Sequence, residues 1–225
     1  MFRELASDLW VTERPQRFFG IEMGTRMSVV RLADGLFVHS PVHLDNDTRR
    51  ALDALGPVRA VVAPNRYHHL YVGEYFTAYP EARIYAAPGL PEKRNDLSFH
   101  GALTDEAPVL WAGQIDQLVF RALPVLNDVL FSHRRSRTLI VTDLVFNLLH
   151  TDSFAARLVF SLDGAYGRFG PSRLWRLLTR DRAAARAAVD RILSWDFDRV
   201  VMAHGDVLET GGHEAFRQGF AWLCQ

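Results

Sequence analysis

Ala60-Val-Val-Ala-Pro-Asn-Arg-Tyr-His-His69 sets a short apolar run against a turn that closes on two adjacent histidines. Residues 60–63 have the length and β-branched content of a buried strand, and Pro64, which lacks an amide hydrogen, stops the ladder. Two later apolar runs end in the same chemistry. Residues 138–142 run into Asp143, and residues 199–203 run into His204-Gly205-Asp206. A fourth run, Val129–His133, is preceded by Asn127-Asp128. Ligands of α/β sheets gather at strand ends, where loops bring distant side chains together. Imidazoles and carboxylates converging there predict a site for zinc, iron or manganese.

Outward from this stretch, the chain alternates strands and helices. Residues 27–32 and Gly35–His39 flank an Asp-Gly turn and predict a hairpin. Asp45 or Asn46 caps an expected helix running to about Leu55. A short helix at 73–79 and a strand at Arg83–Ala86 follow. Strands are expected at 118–122, Val129–His133 and 138–142, the last two joined by a polar Arg-rich connection. Residues 148–170 mix Phe, Leu and Gly without periodicity and give no assignment. Helices are expected at 172–178, 181–194 and 212–223, with a strand at 199–203 before the last. With no repeat and no low-complexity linker, residues 1–225 read as a single domain.

Composition narrows the function classes. Lys+Arg and Asp+Glu are both 26 in 225 residues, so the formal charge is zero, which argues against a phosphate-backbone binder and predicts no nucleic-acid partner. Only Lys93 among the basic residues is lysine, a bias read as GC-rich, bacterial coding. The single cysteine, Cys224, excludes an intramolecular disulfide and a cysteine-built zinc site. Acids interrupt the N-terminal stretch where a signal peptide is apolar, and no run reaches the ~20 apolar residues that span a bilayer. The expectation is a cytoplasmic protein with no membrane span, acting on a small-molecule substrate. No Gly-rich phosphate loop occurs, and Ser40 and Ser136 lack the surroundings of a serine nucleophile.

The order of these residues resembles the metallo-β-lactamase fold superfamily, and within it a divergent branch, a domain of unknown function, that opens with Arg26-Met-Ser-Val-Val-Arg-Leu32. The superfamily pattern is H-x-H-x-D-H after a strand and helix, a further ligand histidine before a hairpin, an aspartate after its second strand, and a late histidine loop. Ser136-Arg-Thr-Leu-Ile-Val-Thr-Asp143 is similar to the hairpin with its aspartate, and Val201-Met-Ala-His-Gly205 to the late loop. The resemblance implies a four-layered αββα sandwich: an α/β fold of mixed sheets with helices outside.

The metal loop departs from that pattern. Aligning His69 with the final histidine puts His68 on the aspartate, Arg66 on the second histidine and Pro64 on the first; Asp128 falls where another histidine belongs. The resemblance thus implies that the first metal site has lost its histidines and that His68, His69, Asp143 and His204 hold one divalent ion, zinc first, with iron or manganese as alternatives. Sliding the alignment brings Asn65 into the set instead. In a hydrolase so built, Asp128 accepts the water's proton or binds the metal through water, and Arg66 is a positive charge replacing the missing ion or anchoring an anionic substrate. His39 and His43, flanking Ser40-Pro41, are candidates for supporting the ligands. Three readings stand: a metal-dependent hydrolase, a non-catalytic binding or scaffold protein that keeps the fold, and a mononuclear iron redox protein. Substrate and oligomeric state are silent in the sequence.

Overall fold

The computed structural model describes residues 1–18 and 20–224; Phe19 and Gln225, which the single-domain expectation includes, lie outside the described residues. Strands β1 (Arg3–Ala6), β2 (Leu9–Arg14), β3 (Arg17–Phe18), β4 (Ile21–Glu22), β5 (Thr25–Leu32) and β6 (Gly35–His39) open the chain. Helix α1 (Asn46–Leu55), β7 (Val58–Ala63), α2 (Val72–Ala78), β8 (Arg83–Ala86), α3 (Leu90–Lys93) and β9 (Gly101–Ala102) follow. The second half runs β10 (Ile115–Val119), β11 (Val129–His133), β12 (Thr138–Ile140), β13 (Phe146–Asn147), α4 (Phe154–Leu162), β14 (Phe169–Gly170), α5 (Arg173–Leu178), α6 (Arg182–Leu193), β15 (Arg199–Val201) and α7 (Gly212–Gly219).

Seven strands form one sheet in the order β1-β2-β5-β6-β7-β8-β9, antiparallel as far as β6 and parallel beyond it. A second sheet runs β10-β11-β12-β15, with only the β12–β15 pair parallel. Strand β7 is a near-continuous apolar run because both its faces are covered. Val62 and Ala60 pack with Phe37, Phe131 and Ile140 between the sheets, whereas Val61 and Ala63 pack with Leu52, Val72 and Tyr75 beneath the helices. Across the molecule, Leu139 and Val200 meet Ala185, Val189 and Phe216 of α6 and α7. The layers are therefore helices, sheet, sheet, helices: the αββα sandwich of the metallo-β-lactamase fold.

Several elements differ from expectation. The strand placed at 118–122 lies at Ile115–Val119, because alternation of buried Ile115, Gln117 and Val119 sets the register and Gln117 satisfies itself against Trp111 and the carbonyls of Thr104 and Glu106. Tyr67, Tyr71 and Tyr75 do not share a helical face, since α2 begins only at Val72. Residues 148–170, unassigned from sequence, hold α4, whose N-cap is Ser153, and part of a small β13–β14 ribbon. No helix among the described residues is long and apolar enough to cross a membrane.

Candidate metal centre

The strand ends that carry the marked residues converge at one end of the sandwich. His68 stands on the loop after β7, Asp143 follows β12, and His204 follows β15. Their ligand atoms form a triangle: His68 Nε2 is 3.3 Å from Asp143 Oδ1 and 3.2 Å from His204 Nε2, and His204 Nε2 is 3.1 Å from Asp143 Oδ1. Donor atoms of a tetrahedral ion with bonds near 2.0–2.1 Å are separated by about 3.3 Å, so the spacing fits three ligands on a shared first-row metal ion. Two nitrogens and one carboxylate oxygen, all largely buried, make a donor set that zinc and iron both accept.

Each ligand is oriented from behind. The His204 ring donates from Nδ1 to the Gly24 carbonyl at 2.7 Å, which orients the ring with Nε2 towards the triangle. Ser40 Oγ lies 2.7 Å from His68 Nδ1. Asn65 is the organiser of the loop. Its carbonyl oxygen accepts from the backbone amides of Tyr67 and His68, each at 2.8 Å, and its amide donates to Asp143 Oδ2 at 2.8 Å and to Thr142 Oγ1 at 2.9 Å. Burial raises the Asp143 carboxyl, but the charge of His68 and hydrogen bonds from His204 and His68 outweigh it and hold the group well below the usual carboxylate range. Buried Arg26 of β5 secures the third ligand loop by donating to the carbonyls of Met202 and Gly205, and it also pairs with Glu13 at 2.8 Å.

The other expected site residues fall outside the triangle. His69 is near it in sequence, yet its Nδ1 lies 3.1 Å from Arg94 Nη1. A guanidinium only donates, so Nδ1 accepts and the neutral ring keeps its proton on Nε2. Burial and the charges of Lys93 and Arg94 push that imidazole down to about 4. His69 is therefore turned to Arg94, and the ligand atoms that the structure brings together are those of His68, Asp143 and His204. Asp128 is fully buried and accepts from Thr142, from the Leu144 amide at 2.9 Å and from Asn65 at 3.3 Å. Burial and the nearby Asp143 carboxylate push it up to about 7. It reaches the triangle through Asn65 and through Thr142 and Leu144, which flank Asp143. Arg66 turns its Nη1 to the Pro124 carbonyl at 3.4 Å, its Nε is buried without a partner, and its own carbonyl accepts from Lys93 at 2.7 Å.

Of the two histidines considered as supports, His43 pairs with Glu74 at 3.0 Å, and His39 packs edge-on against Phe131. The residue that supports His68 is Ser40 between them. Sequence reasoning did not assign a bond to its hydroxyl, to the Arg26 guanidinium or to the Gly24 carbonyl, because each partner lies far off in the chain. Asn65 did carry a signal: an asparagine after a strand-ending proline is suited to bond amides two and three residues on. Ser40→Ala is expected to weaken metal affinity by about 10–100-fold while leaving the fold intact, as read by competition with a chromogenic chelator. Unchanged affinity would show that the His68 ring is held by its loop alone.

Burial pushes the His39 imidazole down to about 3, with the charge of His68 adding to the effect. The unfolded chain binds that proton near pH 6.5 and the folded chain does not, so stability is complete above pH 6.5 and declines as the pH falls towards 3. Urea titrations should show a loss of up to about 1.4 kcal/mol per pH unit from this group below pH 6. His39→Phe should make the slope shallower; an unaltered slope would assign the acid sensitivity to other groups.

Residues 6–158 match the family described as "Domain of unknown function (DUF4336)". No curated protein matches the sequence. Among solved structures, the fold is similar to a metallo-beta-lactamase from Pontibacter korlensis, with TM-score 0.68, 12% identity, and coverage of 100% of this chain and 99% of that one. It is also similar to the metallo-beta-lactamase FIM-1 from Pseudomonas aeruginosa in its mono-zinc form, with TM-score 0.63, 13% identity, and coverage of 99% and 93%. A third likeness is to the metal-soaked Flv1 flavodiiron core from Synechocystis sp. PCC6803, with TM-score 0.66, 12% identity, and coverage of 100% of this chain and 60% of that one. Likenesses at such identities establish the fold.

Proposed function

The chain belongs to the family described as "Domain of unknown function (DUF4336)" and has the metallo-β-lactamase fold, and from that premise we propose that it is a mononuclear metal-dependent hydrolase. The observation that carries the reading is the triangle of His68 Nε2, Asp143 Oδ1 and His204 Nε2 with sides of 3.1–3.3 Å. Three protein ligands on one ion leave a position open, as catalytic zinc sites do and closed structural sites do not. When bound, such an ion lowers the pKa of a coordinated water and polarises an acyl or phosphoryl oxygen.

The chain's own groups supply the rest. Gly24 and Ser40 keep the imidazole rings aimed at the triangle, and Asn65 holds the unused Asp143 oxygen. Asp128, sealed among Thr142, Leu144 and Asn65, acts as a positioning residue through that asparagine rather than as the proton acceptor expected from sequence. Arg66, whose Nε is buried, would have to anchor an anionic substrate group through its terminal nitrogens. The same donor set suits iron, and the fold is shared with the flavodiiron core named above, so redox chemistry at one iron is the second reading.

Protein purified without added metal or chelator should contain about one equivalent of zinc and hydrolyse members of an ester, thioester and phosphodiester panel. Iron in place of zinc would favour the redox reading. No metal, even after reconstitution, would overturn both and leave a fold retained for binding.

A further inference from the structure

Eight of the eleven large apolar side chains exposed among the described residues fall within residues 149–178. On α4, Phe154, Leu158 and Leu162 repeat every fourth residue and form one outward stripe, with Val159 beside it, while Ala156 and Phe160 face inward. On α5, Leu174, Leu177 and Leu178 form a second stripe, and no residue of that helix is fully buried. Phe154 and Leu177 are 77% and 80% exposed, so these side chains stand out from the surface rather than lining a groove.

The charge around them is one-sided. Residues 149–182 hold six arginines and three aspartates in a chain whose formal charge is zero. Elsewhere arginines sit in ion pairs such as Arg134–Asp116 and Arg137–Asp196. Arg157, Arg168, Arg173, Arg176 and Arg180 make none among the described residues. Arg157 and Arg173 donate to the carbonyls of Thr151 and Leu162, each at 3.1 Å, and Arg176 stacks over Trp222. Two of the aspartates are spent on backbone: Asp163 accepts from the Leu174 amide and Asp181 caps α6. Burial, and then the charges of Arg168 and Arg173, lower the Arg176 guanidinium, a sign that these cations repel one another.

We propose that α4 and α5 form a docking face for an anionic lipid surface, with the Phe and Leu stripes entering the headgroup boundary and the arginines meeting lipid phosphates. Outward apolar chains ringed by unpaired arginines are the combination that holds a helix in the plane of a bilayer interface. A second copy of the chain fits less well, because a two-fold contact sets this patch against itself and brings arginine to arginine. The face lies on the triangle's side of the molecule: Phe146 packs on Phe160 of α4 and stacks on His204. The proposal does not depend on metal chemistry.

Vesicle co-sedimentation of the full chain tests it. Binding to phosphatidylcholine vesicles carrying about one-third phosphatidylglycerol should exceed binding to pure phosphatidylcholine by about tenfold or more, and should weaken as salt rises. The combined Phe154→Ser, Leu162→Ser and Leu177→Ser variant should lose at least about tenfold in partitioning. All three positions are exposed, so its thermal unfolding should match the parent. Arg157→Gln with Arg180→Gln should remove most of the preference for anionic vesicles. Equal binding to both vesicle types, or none to either at low salt, overturns the proposal. Dimerisation that is lost in the triple variant, with no vesicle binding, also overturns it and gives the face to a second copy.

Discussion

Asp143→Ala is expected to leave the protein without bound metal, dropping from about one equivalent to less than about a tenth. The carboxylate is the only anionic member of the triangle, and its two oxygens serve two purposes, Oδ1 towards the histidines and Oδ2 towards Asn65. Removing it leaves the two imidazoles with no anion to neutralise a bound cation and releases the asparagine that holds the His68 loop. Stability reports the same loss. Zinc at about a thousandfold over its Kd adds about 4 kcal/mol to a protein that binds it only when folded. For a chain of this size that is about 8–16 °C in Tm, and the shift should vanish in the variant. Asp206→Ala is the control, since Asp206 supports the Leu149 amide and takes no part in the triangle. A variant that keeps both metal and shift would remove Asp143 from the ligand set.

Gly205→Ala should cost about 2–4 kcal/mol, or about 4–16 °C in Tm, and should lower metal content with it. Gly205 has φ +82°, and a Cβ there meets the Asn147 carbonyl oxygen at 2.5 Å and its carbon at 2.8 Å. Both are backbone atoms, in a segment where Asn147 also bridges to Gly205 and accepts from the Asp206 amide. Relief therefore requires moving the loop that carries His204. Gly211→Ala separates strain from collision: its φ is +71° but nothing lies within 4 Å of the added carbon. It should cost only about 1 kcal/mol. Equal losses at the two glycines would show that the contact with Asn147 gives way cheaply.

What could be read from the sequence was whatever local chemistry encodes. The β5–β6 hairpin follows from its Asp-Gly turn, β7 from an apolar run closed by proline, and α6 from Asp181 capping a periodic helix. His68, Asp143 and His204 were legible because each ends an apolar strand. His69 was not separable from His68 by spacing, since what turns it aside is Arg94, 25 residues away. Asp128 had the right residue type and position, and only its enclosure by Thr142, Leu144 and Asn65 shows that it lies apart from the ligand atoms. Helix α4 escaped because its outward Phe154, Leu158 and Leu162 are as apolar as its inward Ala156 and Phe160, so hydrophobicity does not show which face is buried.

The atoms of the triangle come from residues 68, 143 and 204, with His68 and His204 lying 136 positions apart. One comes from the seven-stranded sheet and two follow strands of the other. During vectorial synthesis, therefore, the first ligand emerges early and waits. The three atoms cannot meet until β15 has paired with β12 and the loop beyond it exists. If the triangle holds an ion as proposed, tight binding is reserved for completed chains. Stalled or truncated ones would present scattered imidazoles that compete poorly for it, and metal uptake would report late assembly.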